Sequence, residues 1–196
     1  MMTTLDRLKK QWQNILIGIF FVLMLVLPSF RMFVSSNFQR LLLQSRILQP
    51  EEVQASAALP RVPYQWSITD QAGKEVPMSQ FEGKTIFLNF WASWCPPCVA
   101  ELPDILSLME KTDRSKVAFI LLNMDRKTEA LERFMKKKGY DFQYYRMHSP
   151  LPELLQSQSL PTTHIISPEG KLLTTKKGMA YYDTEHFKNY LENGGR

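Results

Sequence analysis

Apolar residues follow three patterns along the chain. The first is a continuous block. Gln11 to Phe30 is a charge-free run of 20 residues, preceded by Arg7, Lys9 and Lys10. As a helix such a run is about 30 Å long, close to the thickness of a bilayer core. Its strictly apolar centre, Ile15 to Leu27, spans 13 residues, a length that also suits the apolar part of a secretory signal. Pro28-Ser29-Phe30-Arg31 is a poor cleavage site and Val34-Ser35-Ser36 a weak one, so a retained anchor, or an uncleaved signal, is expected. No cysteine lies near the run, which excludes a lipoprotein.

The second pattern is amphipathic. Val34, Phe38, Leu41, Leu42 and Leu48 recur near helical spacing, with Gln39, Arg40, Gln44 and Arg46 on other faces. Such a segment either lies on a membrane surface or packs on the domain that follows. Gln49 to Ala57 reads as a polar tether. The expected organisation is tail and anchor in 1–31, amphipathic segment and tether in 32–60, and a globular domain in 61–196.

The third pattern mixes strand and helix periods. Gln65–Ile68 and Lys74–Val76 flank Asp70-Gln71-Ala72-Gly73, a hairpin signal. Thr85–Phe90 and Val117–Leu122 are apolar on both faces, as buried parallel strands are. Val99, Leu102, Ile105, Leu106 and Met109 between them fall at helical spacing and complete a right-handed βαβ unit. Pro103 should kink that helix. Thr128 to Lys138 predicts a helix closed by Gly139. Phe142–Tyr145 predicts a short strand, and Ser149–Gln156 a short helix led by prolines. Thr163–Ile166 and Lys171–Thr175 predict a hairpin, and Asp183 caps a last helix through Leu191.

Charge changes this picture little. The 196 residues carry 24 basic and 19 acidic side chains. Six and three of these fall in residues 1–60, leaving 18 and 16, which is not a nucleic-acid-binding balance. Lys136-Lys137-Lys138 suits a solvated helix C-terminus. The two cysteines cannot build a disulfide framework or a four-thiolate zinc site, and His148, His164 and His186 lack metal-ligand spacing. Neither a metal nor a cofactor is expected. The histidines read as packing (His164) or surface residues (His148, His186).

The cysteines carry the chemistry. Cys95 and Cys98 are two residues apart where the strand Thr85–Phe90 hands over to a helix. Partial positive charge at a helix N-terminus lowers a thiol pKa. A dithiol so placed suits thiol–disulfide exchange. Pro96 and Pro97 lack N–H donors, and Pro97 fits the first turn at no hydrogen-bonding cost.

The segment Leu88-Asn89-Phe90-Trp91-Ala92-Ser93-Trp94-Cys95-Pro96-Pro97-Cys98-Val99-Ala100-Glu101-Leu102-Pro103 resembles the active site of the TlpA/ResA-like membrane-anchored thioredoxin-fold proteins. Leu160-Pro161-Thr162-Thr163-His164-Ile165-Ile166-Ser167-Pro168-Glu169-Gly170 resembles the family's cis-proline loop and the hairpin after it. The resemblance covers about residues 61–196. It implies an α/β thioredoxin-like fold, a central mixed β-sheet with helices on both faces.

It also implies roles. Cys95, facing solvent, is the nucleophile that attacks a substrate disulfide. Cys98, one turn into the helix, resolves the mixed disulfide. Glu101 lies three residues on, beside the core-type Leu102 and Ile105. There it is either a partly desolvated acid that exchanges a proton with Cys98 or a solvent-facing residue that only complements the helix dipole. Asn89 stands where thioredoxins have a buried aspartate, which leaves Glu101 as the available carboxylate. Leu160 and a cis Pro161 would form the facing wall for substrate. Trp94 would touch substrate at the surface, with Pro96 and Pro97 beside it, and Trp91 would pack beneath. Tyr181 and Tyr182 read only as packing of the last helix.

The function so implied is a membrane-tethered, extracytoplasmic thiol–disulfide oxidoreductase on the periplasmic side of the inner membrane. The resemblance favours a reductase of envelope proteins, apocytochromes c among them. Its partners would be those disulfide-containing proteins, a membrane electron donor of the thiol–disulfide transporter kind, and the membrane, with no nucleic acid. A disulfide oxidase or isomerase, a thiol peroxidase and a non-enzymatic copper-binding or interaction module remain open. Potentials on this fold span roughly 150 mV, so the motif establishes exchange and not its direction.

Overall fold

A computed structural model describes residues 4–27 and 59–196. Helix α1 runs from Thr4 to Val26. Its side chains Ile15, Leu16, Ile17, Ile19 and Val22 are exposed. Among the described residues no helix is long and apolar enough to cross a membrane. The amphipathic segment and the tether expected within 32–60 lie almost wholly outside the described residues.

The domain is built on a four-stranded mixed sheet. Strand β3 (Thr85–Trp91) pairs in parallel with β4 (Val117–Asn123), Thr85 facing Val117 and Trp91 facing Asn123. Both strands are buried along their whole length, which is why they lack polar alternation. On its other side β3 pairs antiparallel with β6 (Thr162–Ile166), and β6 with β7 (Leu172–Lys177), so the order is β4-β3-β6-β7. A smaller sheet, order β2-β1-β5, joins the hairpin β1 (Ser67–Thr69) and β2 (Glu75–Pro77) to β5 (Arg146–Met147).

Helices α2 (Pro96–Lys111), α3 (Thr128–Lys138) and α4 (Glu185–Glu192) follow β3, β4 and β7. Leu102, Ile105 and Leu108 of α2, Leu131 of α3 and Phe187 and Leu191 of α4 share one core with Phe87, Trp91, Phe119 and Leu121 of the sheet. The opposite face, with Ile86, Leu88, Phe90, Ile120 and Leu122, packs on Trp66, Ile68, Val76, Met78 and Leu155. No residue of α2, α3 or α4 belongs to that second core. On that face the expected helices are reduced to two single 3-10 turns, Met78–Phe81 and Glu153–Leu155, whose Met78 and Leu155 join the core. The chain leaves β4 through α3 and returns at Tyr145, which bridges Leu122 in parallel. This crossover steps across the sheet in the same direction as β3–α2–β4. Right-handed connections then place both helices on one face, and the small sheet with those two turns covers the other.

Three boundaries also differ from expectation. Phe142–Tyr145 makes only the bridge at Tyr145, and regular pairing waits until Arg146. The helix predicted over Ser149–Gln156 shrinks to a single 3-10 turn, Glu153–Leu155, because the prolines at 150 and 152 disfavour helical backbone at the residues before them, Ser149 and Leu151. Thr184, not Asp183, caps α4, its hydroxyl accepting from Phe187 N at 3.0 Å. Asp183 instead pairs with Lys111 Nζ at 2.8 Å and accepts from Ser107, tying the α4 lead-in to α2.

Candidate active site

Cys95 is the N-cap of α2, and Pro96 and Pro97 fill its first two positions. Neither proline has an N–H, so the first donor the helix offers is Cys98 N, which points at Cys95 Sγ from 3.3 Å. The next, Val99 N, bonds Cys95 O. The local sequence thus aims the positive end of the helix at one sulfur. Cys95 and Cys98 are joined as a disulfide, with Cα atoms 5.3 Å apart. Cys95 is only 4% exposed and Cys98 is fully buried. The expectation that Cys95 faces solvent does not hold in this oxidised state. Bonded to Cys98, its sulfur turns into the first helical turn and joins the core that includes Trp91 and Ala92. Trp94 is what the site shows to solvent, 59% exposed, while Trp91 lies beneath.

The loop between β3 and α2 is fixed by a residue the sequence did not flag. Asp125, buried just past β4, accepts from Ser93 N at 2.9 Å, Ser93 Oγ at 2.8 Å and Asn123 Nδ2 at 2.7 Å. Its position at the carboxyl end of a central parallel strand, where α/β sheets place their sites, was the available signal.

Glu101 is 0% exposed. Its Oε1 accepts from Asn89 Nδ2 at 2.9 Å and its Oε2 from Ala180 N at 3.2 Å. Burial pushes its carboxyl up to about 8, against the pull of those two donors, with the Asp104 charge adding to the rise. Of the two readings of Glu101, the desolvated acid is the observed one. Asn89 Nδ2 also donates to Thr163 Oγ1 at 2.9 Å, and Tyr182 OH donates to the same oxygen at 2.8 Å. Ala180, Thr163 and Tyr182 were not anticipated here; no periodicity links them to position 101.

The Leu160–Pro161 bond is cis. Leu160 packs against the core that holds both cysteines. Thr162 Oγ1 donates to Ser159 O at 2.8 Å, Ser157 Oγ lies 2.8 Å from Thr162 Oγ1, and Gly178 N donates to Pro161 O at 2.9 Å. These bonds hold the proline turn from both sides. His164 is buried on the other face of the sheet, against Phe90 and bonded to Thr175 Oγ1 at 2.9 Å. Burial lowers its pKa to about 4, so it stays neutral near pH 7. Among the described residues no group of three or more His, Cys, Asp or Glu side chains is arranged to hold a metal ion.

The redoxin family profile matches residues 54–189. The chain belongs to the redoxin family. This redoxin is 32% identical over 128 residues to the thiol-disulfide oxidoreductase ResA of Bacillus thuringiensis subsp. konkukian, covering 64% of this chain and 72% of the relative. It is 31% identical over 129 residues to ResA of Bacillus subtilis, covering 65% and 72%. Among solved structures, a putative thiol:disulfide interchange protein DsbE from Chlorobium tepidum superposes with a TM-score of 0.54 at 24% identity, over 70% of this chain and 96% of that one. StoA from Bacillus subtilis gives 0.53 at 23% identity, over 70% and 100%. These similarities in structure show a thioredoxin-like fold. With its cysteine pair as the redox centre, the redoxin is a thiol–disulfide oxidoreductase.

Proposed function

We propose that this redoxin is a membrane-tethered, extracytoplasmic disulfide reductase. Its substrates are envelope proteins, apocytochromes c among them, and its electrons come from a membrane thiol–disulfide transporter. In the reduced protein, Cys95 attacks a substrate disulfide and one substrate sulfur leaves with a proton. Cys98 then attacks Cys95 Sγ, forming the internal disulfide and releasing the second substrate sulfur as a thiolate, which takes its proton from solvent. The substrate gains two electrons and the cysteine pair loses two. Trp94, Pro96, Pro97, Leu160 and Pro161 form the surface that meets the substrate.

The observation that carries this reading is Glu101: fully buried one turn beyond Cys98, with its carboxyl pushed up to about 8. An acid with a pKa near the working pH is well matched to proton exchange. Glu101 takes the proton of Cys98 as that sulfur attacks. In the oxidised protein it holds the proton, ready to return it on re-reduction. The tether rests on the sequence. The charge-free run continues from α1 to Phe30, behind three basic residues, and the described apolar side chains of α1 are exposed.

The test is trapping in the native host. Cys98→Ser leaves Cys95 unable to be resolved, so disulfide-linked adducts should accumulate in the membrane fraction and contain envelope proteins. They should vanish on reduction and in the Cys95→Ser, Cys98→Ser double variant. Adducts confined to soluble cytoplasmic proteins would overturn the tethered reading, and no adducts at all would overturn the reductase.

A further inference from the structure

Asn89 has one amide with two N–H groups, and both are committed. One donates to Glu101 Oε1 and the other to Thr163 Oγ1, each at 2.9 Å. Its own Oδ1 is buried without a hydrogen-bond partner. An amide that leaves its acceptor idle and directs both donors outward is held in that orientation by its neighbours. A carboxylate offers only acceptors when ionised and keeps an acceptor oxygen when protonated, so Glu101 Oε1 can take the N–H side in either state. Thr163 Oγ1 offers a second acceptor on that side. Tyr182 OH donates to Thr163 Oγ1 at 2.8 Å and fixes where the remaining lone pair points. Asn89, Thr163 and Tyr182 are all buried, so no water replaces a lost partner. They come from β3, β6 and the segment before α4, while Glu101 comes from α2.

We propose that Thr163 and Tyr182 are positioning residues for Glu101, holding the Asn89 amide with its N–H toward the carboxylate and so setting how tightly Glu101 binds its proton. This rests on the proposed proton exchange between Glu101 and Cys98. The charged and titratable groups facing the carboxyl are Asp104 and the Cys95–Cys98 pair on its own helix and the Tyr182 phenol. From β3 and β6 come the uncharged Asn89 and Thr163. Removing the Thr163 oxygen leaves one Nδ2 hydrogen unpaired. The amide is then held in that orientation by its bond to Glu101 alone, and the donor to the carboxylate is less firmly placed. Hydrogen bonds to the ionised form lower an acid's pKa, so this loosening raises the midpoint.

The oxidised protein isolates the effect, because disulfide-bonded cysteines do not titrate. The Glu101 carboxyl carbon is followed by NMR in protein labelled at glutamate, with Glu101→Gln to assign it. Thr163→Val should raise the midpoint by about one pH unit, a tenfold tightening of proton binding. Tyr182→Phe, which keeps the ring packed on Phe87 and Phe187, should move it the same way by less. Thr163→Ser should restore the wild-type value. Unchanged midpoints in both Thr163→Val and Tyr182→Phe overturn the proposal. The pH–rate profile of exchange in the reduced variants separates the two layers. A profile that moves with the carboxyl supports both. A profile that stays fixed while the carboxyl midpoint moves leaves the positioning role standing and removes Glu101 from the exchange.

Discussion

Glu101 is a carboxylic acid sealed inside the protein, and its stability signature follows from that. Its pKa is raised in the fold, from 4.5 to about 8. Below pH 4.5 both folded and unfolded chains hold the proton, so nothing is lost. Between pH 4.5 and 8 the folded chain holds more protons than the unfolded one, and its stability falls as pH rises. Above pH 8 the loss is complete. The size is about 5 kcal/mol. Glu101→Gln removes the titration. Urea unfolding from pH 5 to 9 should show the variant gaining that amount relative to wild type, with the change complete by about pH 8. His164 acts in the opposite sense. Its depressed pKa costs stability as pH falls from 6.5 through about 4, but it does so in both proteins and drops out of the difference. Position 101 was legible as a candidate because Leu102 and Ile105 mark the buried face of the same helix. Its partners were not, since Ala180 contributes only a backbone N–H and Thr163 and Tyr182 meet it through long-range pairing.

At the scale of elements, two helices end alike and differ in what surrounds the end. After α3, Gly139 takes φ 66°, with its N–H on Lys136 O and Tyr140 N on Met135 O. After α4, Gly194 N bonds Leu191 O and Gly195 N bonds Tyr190 O, Gly194 at φ 69° and Gly195 at φ 82°. Both are Schellman closures. A Cβ on Gly139 meets nothing within 4 Å, whereas one on Gly195 overlaps Leu173 Cδ1. Gly139→Ala should therefore cost only the conformational penalty, about 1 kcal/mol. Gly195→Ala adds a clash with the buried β7 residue and should cost clearly more. Thermal melting of the two variants checks the order. The first closure was readable from a lysine run ending in glycine. The second follows the same signal, Gly194 just past Leu191; it was the other end of α4 that the reading misplaced, because Asp183 looked like the cap while long-range pairing with Lys111 had claimed it.

Over the whole molecule, what the sequence made legible was whatever is local. Two doubly apolar strands, the helix between them and the cysteine pair at its start follow from residues adjacent in the chain. Which face each helix covers follows from the order of strands across the sheet, and that order depends on Tyr145 finding Leu122. Asp125 was missed for the same reason: its bonds to the Ser93 loop span 32 positions. The cysteine pair and its one exposed neighbour also give the molecule an optical property. Trp94 stands in solvent beside Cys95, and a disulfide quenches the fluorescence of an adjacent indole more strongly than a dithiol does. Reduction should therefore brighten the emission, with the gain weighted toward the red edge where a water-exposed indole emits. Trp94→Phe should remove the red-edge part of that gain and leave the part from Trp91, which shares the core with both cysteines, so each turnover of the site can be followed by its own light without an attached dye.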